Sequence, residues 1–331
     1  MTASQRIAAL FAIVSLSTAA WAQPQSRPIR RPPNNQLALE GVDASVGRID
    51  PPSIVEGNTS QLVFHVSPLS SKGLLSQQVE DALKALDKAN GKATILKLRA
   101  FVAGTGDLRR VQTIVNGLFT DKKLPLPVIT TIQVGSLTQE GAQVIMESVS
   151  EETKPVNSAG LGFFPAVDAA SGADAVAALH AAMAGAPALR ITCFADSLPE
   201  AEAARIAAAK LFPKLAGVFV QSTRYTLGSH AACEGIAQGG PVQNPKLIFA
   251  AAQLTFGEQD GDLAQAFDRL DKAIEPALRA DAVFLDAYAV TQAIADKANA
   301  LAAPTPRSSF YIEGLPTQDA TLAVEAVIAG K

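Results

Sequence analysis

Aromatic side chains are scarce in this 331-residue chain: they make up 5% of it, with a single Trp. The stacking platforms on which proteins hold single-stranded nucleic acid have little material here. An excess of basic charge is also missing. The formal net charge is -3 and the Lys and Arg are dispersed, which argues against a nucleic-acid or anionic-membrane footprint. Histidine is limited to His65, His180 and His230, each isolated in sequence. No HExxH and no Cys/His spacing suited to a metal occurs. The G-x-S-x-G nucleophile elbow is absent. Gly104-Thr105-Gly106 lacks the third Gly of a nucleotide loop and reads as a turn. No cofactor is implied. Beyond the N-terminal segment, no apolar run is long enough to span a bilayer.

What is present is core-forming material. Hydrophobic residues make up 48% of the chain, and the length suits two or three small domains. The N-terminus reads as a secretory signal: Arg6, an apolar run over residues 7–20, then Ala20-Trp21-Ala22 as an A-x-A site before Gln23. Residues 1–22 are therefore expected to be a cleaved signal peptide, and the mature protein to be periplasmic or secreted, with no membrane contact after cleavage. No Cys follows the site, which argues against a lipoprotein anchor. Residues 23–45 are rich in Pro and Arg and are expected to form a disordered leader.

Periodicity then gives alternating strands and helices. Strands are expected over 60–66, 95–103, 128–134 and 144–149, with helices over 75–89 and 107–119, the latter capped by Asp107. The order recurs with strands near 160–167, 189–195, 217–222 and 231–237 and helices over 174–184 and 199–212. It recurs again with strands over 246–254 and 282–288, helices over 262–278 (bent at Pro276) and 291–301, and two terminal strands flanking Gly314-Leu315-Pro316. The final strand of each set carries one carboxylate among apolar neighbours: Glu147, Glu234 and Glu325, at intervals of roughly ninety residues, the scale of a small domain. A lone Glu in such a strand is costly to bury unless it is paired.

The terminal stretch, Pro306-Arg307-Ser308-Ser309 … Leu315-Pro316 … Val324-Glu325-Ala326-Val327-Ile328-Ala329, resembles the signature of the Rid (reactive intermediate deaminase, YjgF-like) family. The resemblance implies an α/β fold of the chorismate-mutase-like type. It implies three tandem Rid-like domains, 46–152, 153–238 (degenerate) and 239–331, forming a single-chain pseudo-trimer that needs no partner chain. It further implies ligand pockets in the clefts between domains, with Arg307 holding a substrate carboxylate bidentately and Glu325 positioning a water. Ser309, Ala252 and Gln253 fall at ligand-contact positions. The equivalents elsewhere are degenerate: Ile129 with Glu147, and Gly217 with Glu234. Where the family has a glycine, this chain has Ala252.

The function implied is that of an exported 2-imino acid deaminase, hydrolysing an imine or enamine to a 2-oxo acid and ammonia, with one working pocket. The alternatives are a module that binds a small carboxylate or 2-oxo acid without turnover, and a structural pseudo-trimer. Cys193 and Cys233 lie on strands that the resemblance makes neighbours, both on the helix-facing side. Export makes a disulfide chemically possible, whereas buried free thiols are the ordinary state of such residues; both remain open.

Overall fold

Each of the three strand-and-helix sets folds into a sheet with helices on one face. The computed structural model describes residues 54–58, 62–104, 106–151, 160–213, 215–222, 228–238, 246–317 and 319–329. The expected signal peptide and leader, and the expected domain boundaries near 152 and 239, lie outside the described residues.

The chain begins with β1 (Ile54–Asn58) and β2 (Leu62–Val66), followed by α1 (Leu75–Asn90), β3 (Thr94–Ala103), α2 (Leu108–Asp121), β4 (Val128–Val134), β5 (Ser136–Leu137) and β6 (Val144–Glu151). It continues with β7 (Leu161–Ala169), α3 (Gly172–Ala182), β8 (Ala188–Ala195), α4 (Leu198–Leu211), β9 (Ala216–Gln221) and β10 (Ala231–Gln238). The last set is β11 (Lys246–Thr255), α5 (Asp260–Ile274), β12 (Ala282–Ala289), α6 (Gln292–Leu301), β13 (Arg307–Tyr311) and β14 (Leu322–Ala329).

Local chemistry accounts for these elements. α1 buries Leu75, Val79, Ala82, Leu83 and Leu86, an apolar stripe at helical spacing. It stops at Gly91, whose positive φ of 61° suits glycine. Asp107 caps α2 by accepting from the Arg109 and Arg110 backbone N–H groups. α3 and α4 pack closely through Ala175, Ala201 and Ala204. A Cβ on Gly172 would lie 2.0 Å from the Glu200 carbonyl oxygen, so that approach requires glycine. α5 ends at Ile274 instead of bending through Pro276. The residue before a proline avoids the helical region, and Glu275 is extended at φ -50° and ψ 137°.

The three sheets share a strand order. The first is β2-β6-β3-β4, the second β7-β10-β8-β9, and the third β1-β11-β14-β12-β13-β5. In each, the middle strand pairs antiparallel with the final strand and parallel with the one before it.

The expectation of three tandem chorismate-mutase-like domains forming a single-chain pseudo-trimer is corrected here. β1 and β5 come from the stretch assigned to the first domain, yet they pair with β11 and β13 and form the two edges of the third sheet. Residues 49–331 make one compact unit. The architecture is mixed α+β, with three sheets that each pack a core against their own helices and meet one another on their opposite faces.

Alternation along the middle strands positions the site. One face carries Leu98, Ala100 and Val102 into the α1/α2 core. Its counterparts are Ile191, Cys193 and Ala195 against α3/α4, and Leu285, Ala287 and Ala289 against α5/α6. The opposite faces of all three sheets meet one another.

Candidate functional site

Where the three faces meet, the residues fall in three levels set by strand register. At the lower level stand Phe101 opposite Ile145, Phe194 opposite Ala232, and Tyr288 opposite Ala323. Phe101 stacks on Phe310 with centroids 4.0 Å apart and meets Phe194 edge-on at 6.4 Å. This apolar plug joins all three sheets. At the middle level stand Arg99 opposite Glu147, Thr192 opposite Glu234, and Asp286 opposite Glu325. At the upper level stand Lys97 opposite Val149, Arg190 opposite Ile236, and Phe284 opposite Val327.

The charged side chains form one buried network. Asp286 is 0% exposed, Glu234 1% and Glu325 2%. Arg99 uses its whole fork. Its Nε donates to Glu234 Oε1 at 2.8 Å and its Nη2 to the same carboxylate; its Nη1 donates to Asp286 Oδ2 at 2.8 Å and to Glu147 at 3.4 Å. One guanidinium thus ties together all three sheets. Arg190 pairs with Glu325 and reaches Asp286 at 3.3 Å. Lys97 Nζ lies 3.0 Å from Glu234. The Tyr288 hydroxyl donates to Glu325 at 2.9 Å.

Four carboxylates here face three cations. Burial favours neutrality, and a cluster one negative charge in excess gains by holding a proton. Asp286 is pushed up to about 7, by burial and then by Glu147 beside it. Glu325 is also pushed up to about 7, by burial, with Arg190 opposing. Glu147 is raised by burial against the pull of Arg99. For Glu234 the attraction of Arg99 and Lys97 outweighs burial and holds it well below the usual carboxylate range. Burial lowers Lys97 to about 8.

Above the network is a cavity of about 30 Å³. Its polar lining is Lys97, Arg99, Arg190, Glu147 and Ser148, and its apolar lining includes Phe64, Ile236, Phe284 and Val327. Three cations and one carboxylate therefore face the cavity, while Glu234, Asp286 and Glu325 stand behind them. As it stands the cavity has room for one water, with which Glu147 and Lys97 could exchange protons. Among the described residues, no group of His, Cys, Asp and Glu is arranged to hold a metal ion.

Of the residues singled out in the sequence, the structure brings Glu147, Glu234 and Glu325 together. It does not bring Arg307 to them. Arg307 pairs in register with Leu285, on the helix-facing side of the third sheet, and its guanidinium donates to Asn299 Oδ1 at 2.9 Å and to the Thr305 carbonyl at 3.1 Å. Glu325 projects from the opposite face, so an Arg307–Glu325 pair is not formed. Ile129 and Gly217 occupy the matching positions opposite Leu98 and Ile191. Ser309 lies beside Ala287, one residue out of step with Ser308, whose hydroxyl faces Glu147. Ala252 packs against the aromatic plug, and the Gln253 amide donates to the Ala251 carbonyl at 3.1 Å. Cys193 and Cys233 stand opposite each other and form a disulfide.

Sequence reasoning missed Lys97, Arg99, Arg190, Asp286 and Tyr288. Their signal lay in the middle strands, where Lys97-x-Arg99-x-Phe101, Arg190-x-Thr192-x-Phe194 and Phe284-x-Asp286-x-Tyr288 each set polar residues on one side of an otherwise apolar run.

No protein-family model matches the sequence, and no curated protein matches it. In fold, the chain resembles a chorismatase, with a TM-score of 0.52 and 12% identity over 81% of this chain and 98% of that one. A cyanuric acid hydrolase from A. caulinodans aligns over 82% of this chain and 100% of its own, at 13% identity and a TM-score of 0.45, too low to inform the fold. The likeness to chorismatase takes in 81% of this chain as one fold. It overturns the resemblance to the Rid family, and with it the tandem-repeat and pseudo-trimer reading and the 2-imino acid deaminase activity that rested on it. The three carboxylates that suggested the family do converge, but on buried cations: Glu234 and Glu325 on those of another sheet, Glu147 on Arg99 of its own.

Proposed function

We propose that this protein is a small-molecule hydrolase acting on a small organic anion at the junction of the three sheets. The observation that carries the reading is the sidedness of the buried network: Lys97, Arg99 and Arg190 face the cavity while three of the four carboxylates stand behind them. The fold shared with a chorismatase supports it. A cavity of about 30 Å³ has room for one water. A substrate therefore enters by displacing side chains of the mouth, where Phe64 is only half-buried. Arg99 and Arg190 would hold the anion. Glu147, the only carboxylate lining the cavity among the described residues, would take a proton from water as the water oxygen attacks the electrophilic carbon. Lys97, lowered to about 8 by burial, is matched to return a proton to the leaving group near neutral pH.

The test is hydrolysis by the full-length protein of a panel of small carboxylate-bearing esters, enol ethers and cyclic amides, followed by chromatography of the products. A hydrolysed substrate should lose about 10²- to 10⁴-fold in rate on Glu147→Gln. Phe284→Trp, which narrows the mouth and removes no charge, should raise KM. Failure to hydrolyse any member, or turnover untouched by both changes, overturns the reading.

A further inference from the structure

The helical layer of the first sheet is open at one end. There the C-terminal turns of α1 and α2 stand apart over the start of β3 and leave a groove of about 480 Å³. It shares no lining residue with the cavity at the junction. Its volume is that of a site for a ligand of ordinary organic size. The floor is apolar, formed by Leu83, Ile95, Leu118 and Phe119, and Leu124, 44% exposed, forms a lip.

Charge on the rim is one-sided. Among the described lining residues, Lys84, Lys92 and Lys122 stand against the one carboxylate of Asp87, with Lys84 also 3.8 Å from Glu80 and 3.7 Å from Asp81. Lys122 is 2.8 Å from Asp87, and Lys92 has no acidic partner among the described residues. The other two layers show that this rim is not a consequence of the fold. The corresponding end of the second layer holds a smaller space of about 280 Å³, lined by Met183, Leu211 and Phe212, with His180 the only titratable group among the described lining residues. In the third layer the 3-10 turn Arg279–Asp281 occupies that place, beside the buried Ala277.

We propose that this groove binds an amphipathic carboxylate with a straight acyl chain. The chain lies along Leu83, Phe119 and Leu124, and the carboxylate sits between Lys92 and Lys122, partly displacing Asp87 from Lys122. An apolar trough flanked by net positive charge complements such a molecule at both ends.

Calorimetry of the full-length protein with decanoate, dodecanoate and dodecanol tests this. One site per chain is expected, and dodecanoate should bind about fifteenfold more tightly than decanoate, because each of its two extra buried methylenes contributes about fourfold. Lys92→Glu combined with Lys122→Glu should weaken dodecanoate at least tenfold and leave dodecanol unchanged, an expectation from reversed charge at the rim. Both lysines are exposed and Ala93 is half-buried, so changes there should spare the fold, which circular dichroism checks. Ala93→Trp, which fills the groove, should abolish binding of both ligands; if it fails to fold, Leu124→Glu on the exposed lip serves instead. No binding of dodecanoate overturns the proposal. So does affinity unmoved by the double lysine change, or binding that survives the blocked groove.

Discussion

The first and third sheets share a strand order and carry opposite chemistry at the same register positions. On the middle strand of the first sheet, Lys97 and Arg99 face the junction; on that of the third, Phe284 and Asp286 do. The final strands do not differ: each offers a Glu, Glu147 or Glu325, at the middle level. Alone, the third sheet would bury two carboxylates with no cation on its own strands at that level. The first would bury two cations against one carboxylate. Joined, Arg99 of the first meets Asp286 of the third, and Arg190 of the second meets both Asp286 and Glu325. The divergence of the middle strands is what makes the sheets complementary. A buried ionic group adds little to net stability but makes mispairing expensive.

The largest effect should come from breaking that complementarity. Arg99→Met leaves Glu234 and Asp286 without their main partner and should cost about 3–5 kcal/mol, measured by urea unfolding. Arg99→Asp combined with Asp286→Arg restores opposite charges across the same gap and should recover part of the loss. A double change worse than the sum of the singles would show that the pairing is not what joins the sheets.

A second comparison involves the second sheet. Cys193 and Cys233 are bridged where the other sheets place Ala100 opposite Met146 and Ala287 opposite Val324. Those sheets hold by packing alone at this position. Reduction of the bridge should cost about 2–4 kcal/mol. Cys193→Ala with Cys233→Val, which copies the third sheet, should lose less than Cys193→Ser with Cys233→Ser. The reverse ranking would mean that the site needs the polarity of sulfur or hydroxyl.

The pH dependence is smaller and more specific. Asp286 and Glu325 are raised to about 7 in the fold, above an unfolded carboxylate near 4. The folded state thus binds more protons between those limits. Their contribution is complete below about pH 4 and is lost as pH rises towards 7. Glu234 works the other way: its depressed value adds stability above about pH 4, lost as pH falls further. Asp286→Asn should flatten the decline between pH 5 and 7. An unchanged slope would assign the decline to groups outside the cluster.

Much of the element order was legible in the sequence, because apolar spacing and caps act locally. Asp107, Gly91 and the alternation of residues 94–103 each determine their own surroundings. The sheet to which each strand belongs was less legible. β1 and β5 are short, and their partners β11 and β13 lie far along the chain. The three final-strand Glu residues could be found because each is a lone charge in an apolar strand. Their partners were missed because they lie far along the chain, two of them on other sheets: Arg99 is 48 residues from Glu147 on the same sheet and 135 from Glu234, and Arg190 is 135 from Glu325. Arg307 was placed in the site from a motif, but alternation along β13 puts it on the far face from Glu325, beside Asn299. Period-two counting from Asp286 through its pairing with Ser308 separates the two faces, and that pairing is a tertiary fact.

Four buried carboxylates set against three buried cations should hold one shared proton near neutral pH. Side-chain carboxyl ¹³C NMR across a pH titration, with Asp286→Asn and Glu325→Gln to assign the signals, measures this directly. The prediction is that these two carboxyls titrate as a coupled pair with apparent midpoints near 7, and that removing either lowers the midpoint of the other. Finding both carboxyls fully ionised at pH 5 would contradict the account.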